Sequence, residues 1–146
     1  MNALIDAVAD SIVNEVEGAD EWLVEKKDPM WRNPRKGKVL NVYLGNESPG
    51  VPRWTGGTID LVDIVVEYAE PAPENARNLT HDEEGEYAAN AEARKIREWG
   101  LAHEAGFAPG DKMDWAGTAY TPQVRRELFV RYCRVTFRFE VEVSYG

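Results

Sequence analysis

The chain has 146 residues, with 26 acidic against 17 basic side chains and a formal net charge of −9. That length fits one domain with a core large enough to need no disulfide or structural metal, and a composition of 43% hydrophobic and 29% charged residues excludes a wholly disordered chain. The acidic balance argues against general nucleic-acid binding, which needs basic surface for phosphate, and no apolar run approaches the ~20 residues that span a bilayer.

Residues 2–17 read as an amphipathic helix. Leu4, Ile5, Val8, Ile12, Val13 and Val16 recur at helical spacing, and Asp6, Asp10, Asn14, Glu15 and Glu17 form the wet face. Gly18 is a natural stop. The segment is apolar on one face only and has no basic residues ahead of it, so it is not read as a signal peptide. Residues 22–27 (WLVEKK) suggest a short strand. Two prolines and a glycine then make residues 28–38 an extended arm. A second strand, 39–44, alternates Leu40, Val42 and Leu44 against Asn41 and Tyr43. Residues 45–57 are rich in breakers and read as a loop.

Residues 58–69 form the clearest central strand. Ile59 and Leu61 share one parity, whereas Val62, Ile64, Val66 and Tyr68 share the other, which predicts a bulge near 61–62. EPAPEN (70–75) ends this strand. Thr80 and Glu83 have capping-box spacing. A helix is expected over 82–104, with small residues in its apolar stripe (Ala89, Ala93, Gly100) so that it can sit close to a sheet. Gly106 suits a left-handed helix end. Residues 107–122 read as a loop. The terminal strand, 127–145, alternates Cys133, Val135, Phe137, Phe139, Val141, Val143 and Tyr145 against polar neighbours. A change of parity at Leu128, Val130 and Tyr132 predicts a second bulge near 131–133. The expected fold is one α+β domain spanning 1–146: a mainly antiparallel sheet of about four strands packed with two helices, in the order α-β-β-β-α-β. The terminal strand should pair antiparallel with the central one.

Chemistry is sparse. The single cysteine, Cys133, excludes an intrachain disulfide, and its apolar parity marks a buried structural thiol. The two histidines are His81 and His103, and neither has a second histidine at zinc-site spacing. Asp60 and Asp63 share a face only if the bulge falls between them. Ser48 and Ser144 have no nucleophile-elbow context, and no glycine-rich phosphate loop is present. The expectation is no catalytic residue, no cofactor, no metal and no enzymatic turnover.

What remains is surface. Of the five tryptophans, Trp22 and Trp99 fit amphipathic elements, while Trp31, Trp54 and Trp115 fall in predicted loops. Loop aromatics serve either as interface anchors or as lids over their own core. From Lys26 to Lys38 six basic residues stand against one acidic, and from Asp60 to Glu92 ten acidic stand against one basic. Two such stretches on one small protein are either solvated surface or complementary patches. The candidate interface residues are Trp31, Arg32, Arg35, Lys36 and Trp54.

The layout resembles the tail terminator proteins of long-tailed bacteriophages. The resemblance rests on the N-terminal helix NALIDAVADSIVNEV, the strand and turn VLNVYLGNESPG, the central strand IDLVDIVVEYAEP, the helix EYAANAEARKIREWG and the terminal strand RYCRVTFRFEVEVSY. It implies a small α+β subunit that forms a homo-oligomeric ring, usually of six copies. Such a ring caps the tail tube and joins it to the head–tail connector proteins. The implied partners are therefore the chain itself, the tail tube protein and the connector proteins, with no sequence-specific nucleic-acid contact and no membrane. The implied location is the virion tail or neck, with assembly in the host cytoplasm. The alternatives are a connector or stopper component and a small acidic cytoplasmic adaptor that binds a protein partner.

Overall fold

The structure is a computed structural model, and it describes residues 2–26, 37–52, 57–71, 83–107, 110–120 and 130–144. Along them lie helix α1 (Asn2–Glu15), a single 3-10 turn (Ala19–Glu21), strands β1 (Leu23–Glu25), β2 (Val39–Pro52) and β3 (Gly57–Pro71), helix α2 (Glu83–Ala102), and strands β4 (Gly106–Phe107), β5 (Gly110–Tyr120) and β6 (Val130–Ser144). The strands form one six-stranded sheet in the order β1-β2-β3-β6-β5-β4, curled into a half-barrel.

This corrects the expected four-stranded, mainly antiparallel sheet in the order α-β-β-β-α-β. β1 runs parallel to β2, which makes the sheet mixed. The segment 107–122, expected to be a loop, supplies β4 and β5. Its glycines and charges (Gly110, Asp111, Lys112, Asp114, Gly117) mask the alternation. Register shifts between Asp111 and Met113 and between Trp115 and Gly117 then break the period-two pattern outright. β2 likewise continues past Leu44 into the expected loop at 45–57, again through two register shifts, Leu44/Glu47 and Ser48/Val51. Gly50 is required there by contact: a Cβ on it would stand 1.2 Å from the Ile59 carbonyl oxygen.

The two strands with the strongest sequence signal do pair antiparallel. Their register is unbroken from Gly57↔Ser144 to Pro71↔Val130, so neither carries, in this pairing, the bulge that its parity switch suggested. The bulges sit in the flanking strands β2 and β5. The parity switch in β3 has another cause, burial on both faces. Val62, Ile64, Val66 and Tyr68 face the helices, while Val65, Glu67 and Ala69 are buried on the other side.

The core lies between the helices and the first of those faces. α1 contributes Leu4, Ile5, Val8, Ala9 and Ile12, and α2 contributes Ala93, Ile96 and Trp99. From the sheet come Leu40 and Val42, the even residues 62–68, and the odd residues 133–141. Each large apolar side chain buried in this way contributes roughly 1.5–3 kcal/mol. The small-residue stripe of α2 does what its pattern suggests: a Cβ on Gly100 would meet Phe137 Cε1 at 2.4 Å. Ala89 and the Thr80–Glu83 cap lie outside the residues whose side chains are described. Gly18 and Gly106, both at φ +83°, take the left-handed conformation at which α1 and α2 give way to the following segments.

Candidate assembly surface

The predicted interface residues Trp31, Arg32, Arg35, Lys36 and Trp54 lie outside the described residues. The root of their arm is described. Lys26 Nζ stands 2.8 Å from Asp6 Oδ1 and 4.0 Å from Asp10 Oδ1 of α1, so this end of the basic stretch is engaged by its own chain. A hydrogen bond to Asp6, and the charges of Asp6 and Asp10, hold the Lys26 pKa above its ordinary value.

The acidic stretch is also largely engaged from within where it is described. Asp60 accepts from Thr58 Oγ1 at 2.6 Å and from the Gly50 N–H at 3.3 Å. Asp63 accepts from Arg138 Nε at 2.9 Å. Glu70 accepts from the Tyr68 hydroxyl at 3.0 Å, and Glu92 lies 3.5 Å from Lys95. Asp60 and Asp63 have opposite parity in an unbroken ladder, so they are on opposite faces and form no carboxylate pair. Glu67 is fully buried. It accepts from Arg134 Nη2 at 3.2 Å and from the Tyr43 hydroxyl at 3.3 Å. Arg134 and Glu67 are directly opposite in register, which is how a period-two strand delivers a guanidinium to a carboxylate in the next strand. One of the polar positions of β6, Arg134, therefore closes over a buried anion.

At the other side of the molecule the two helices meet in a cleft of about 370 Å³, lined by Glu15, Val16, Glu17, Lys95, Glu98, Trp99, Ala102 and His103. Trp99 Nε1 donates to Ser11 Oγ at 2.9 Å, Ser11 donates to Glu15, and His103 Nε2 lies 2.7 Å from Glu15 Oε2. The hydrogen bond from Ser11, followed by that from His103, lowers the Glu15 pKa. This chain of bonds ties the end of α1 to the end of α2, and the His103 ring packs against Trp99 and Phe107. Among the described residues no group of three His, Cys, Asp or Glu side chains is placed to hold a metal ion, and no helix is long and apolar enough to cross a membrane. Cys133 is buried, and desolvation pushes its thiol pKa up to about 12, which makes it inert as a nucleophile at neutral pH.

Trp22 and Trp99 are core residues, at 7% and 5% exposure. Trp115 is neither core nor loop: it sits in β5, 44% exposed, with the Arg97 guanidinium 3.8 Å from its ring centroid and its indole N–H donating to Thr118 Oγ1. Leu44 in β2 and Leu101 in α2 are also large, apolar and exposed. Sequence reasoning passed over Leu44 and Arg97. Leu44 has the parity of a core residue, and Arg97 gains meaning only once β5 exists beside α2.

Comparison with known proteins finds no protein-family model that matches the chain and no matching curated protein. The fold itself is known. It is that of a chain in the solved structure of the virion of a native gene transfer agent particle, with a TM-score of 0.61 over 97% of each chain at 15% identity.

Proposed function

We propose that this chain is a structural protein of a phage-like virion, and within it a tail terminator subunit that caps the tail tube and joins it to the head connector. The observation that carries the reading is the end-to-end likeness of fold to a virion chain, over 97% of both partners. The segments that carried the resemblance in sequence do fall in α1, β2, β3, α2 and β6, which supports the reading. On this reading the protein is not an enzyme. It acts by assembling with copies of itself in a ring, with tail tube protein and with connector proteins, first in the host cytoplasm and then in the virion.

The test is addition of purified chain to polymerising tail tube protein of the same genome, followed by electron microscopy. Shortened tubes, each with a ring of extra density at one end, are expected. Unchanged tube lengths with bare ends would rule out the terminator role, and binding to DNA-filled heads instead would move the protein to a connector station. The basic arm enters as a second readout. Arg32→Glu with Arg35→Glu should weaken ring formation more at low salt than at high salt, because screening removes exposed charge contacts. An assembled mass that does not change at low salt would remove the arm from the interface.

A further inference from the structure

Among the described residues, β1 covers the outer edge of β2 only from Val39 to Asn41, and β4 covers β5 only at Gly110 and Asp111. From Val42 onward in β2, and from Asp114 onward in β5, no described strand pairs with the outer edge. Open edges of this kind are templates for another strand. The two edges are linked by a single rung of the sheet. Leu44 pairs with Ile64, Ile64 with Phe137, and Phe137 with Trp115. The two inner members are 0% and 1% exposed, while the outer two are 37% and 44% exposed. Directly paired residues share a face, so all four lie on the helical side, and an apolar rung runs off both ends of the sheet.

Charge follows the same line. Glu47 is the only charged residue of β2. The register shift after Leu44 sets it opposite Val62, on the helical face beside Leu44. At the opposite edge Arg97 stands over Trp115. Three successive antiparallel pairings separate β2 from β5, so the two open edges run in opposite directions and suit antiparallel addition.

We infer that copies of this chain join edge to edge, the open edge of β2 in one copy adding to the open edge of β5 in the next. Leu44 of one copy packs on Trp115 of its neighbour, and Glu47 faces Arg97. The contact uses two different patches, so it is head-to-tail and closes into a ring where the rotation permits. The bulges and the lone carboxylate of β2 restrict indiscriminate pairing at that edge and reward the one register that meets Arg97. The inference rests on the ring-forming reading above and names its interface.

The test is disulfide cross-linking of the full chain. Paired residues on adjacent strands lie within the span a disulfide bridges, and buried Cys133 does not compete. Under mild oxidation the doubly substituted Leu44→Cys, Trp115→Cys protein should give a ladder of covalent multimers. A mixture of the two single variants should stop at dimers, and each single variant alone should stay monomeric. If the parent assembles by light scattering but the ladder is absent, or Leu44→Cys links to itself, the interface is wrong and the ring reading survives. If the parent stays monomeric alone and on tail tubes, both fail. Charge exchange gives an independent readout. Glu47→Arg and Arg97→Glu should each weaken assembly by about fivefold, and together restore it. Losses that merely add would remove this pair from the interface.

Discussion

Gly100→Ala is a sharp probe of the helix–sheet contact because two effects of opposite sign meet there. In α2 the alanine gains up to about 1 kcal/mol in helix propensity. Its Cβ would stand 2.4 Å from Phe137 Cε1 and 2.9 Å from Cζ, so the ring has to move. The ring is pinned by an edge-on contact with Trp99, 5.5 Å between centroids, and Trp99 is itself stacked on Phe107 at 5.7 Å. Overpacking of such a site costs about 1–3 kcal/mol. The net expectation for Gly100→Ala is a loss of about 1 kcal/mol. Phe137→Ala alone should cost about 3–5 kcal/mol, and in that background the clash is gone. Gly100→Ala then becomes stabilising by up to about 1 kcal/mol, a coupling of about 2 kcal/mol between the two sites. Urea unfolding of the four proteins, followed by tryptophan fluorescence and circular dichroism, measures the cycle. Stabilisation by Gly100→Ala in the parent protein would refute the close approach of α2 to β6. A loss below about 1 kcal/mol for Phe137→Ala would mean that the helical face is not the core.

Further expectations follow from the polar contacts. Arg134→Ala leaves the buried Glu67 without its guanidinium and should cost about 2–4 kcal/mol, whereas Lys95→Ala, at the half-buried i,i+3 pair with Glu92, should cost no more than about 1 kcal/mol. Cys133 should resist a thiol-specific disulfide reagent in the native protein and react at the rate of unfolding, and rapid labelling under native conditions would contradict its burial. The Glu15 pKa lies below the ordinary 4.5 in the folded chain, so its contribution to stability is present above the unfolded pKa and is lost as pH falls through the folded one. Ser11→Ala, which removes the largest cause of that shift, should flatten the acid limb of the stability–pH curve below about pH 5, its loss of stability being largest at neutral pH and smallest in acid. An unchanged acid limb would mean that the link from Ser11 to Glu15 carries no weight.

Sequence reading found what periodicity can report. α1, α2, β3 and β6 emerged with ends close to those observed, and so did the antiparallel pairing of β3 with β6, because alternation sustained over so many residues fits a strand and not a helix. β5 and the far half of β2 were missed for one shared reason. Each carries two register shifts, and each shift resets the parity by which a strand is recognised. The signal at Leu61–Val62 was real but misassigned: burial of β3 on both faces imitates a bulge in a one-dimensional pattern. The site fared differently. Counting charges suggested two free patches, yet the acidic side chains described on β3 each hold a partner within the chain, and only tertiary register shows that. Trp115 was placed in a loop, as an interface anchor or a lid, whereas it lies in β5, 44% exposed, and its weight comes from Arg97 and from the rung it shares with Leu44.

The unbroken β3–β6 register also constrains how the molecule is made. β3 ends at Pro71 and its partner begins at Val130, so α2, β4 and β5 must all be synthesised before the central ribbon can close. Loop-closure entropy rises only slowly with the length of that excursion, but the rate of folding falls as native contacts become more distant in sequence. While β6 is still on the ribosome, β3 has β2 on one edge and no partner on the other, and the apolar face at Val62–Tyr68 lacks the neighbours that β6 brings, among them Val135, Phe137 and Phe139. The last strand to emerge is thus the one that seals the core. A nascent or truncated chain lacking β6 exposes that face to proteases and chaperones.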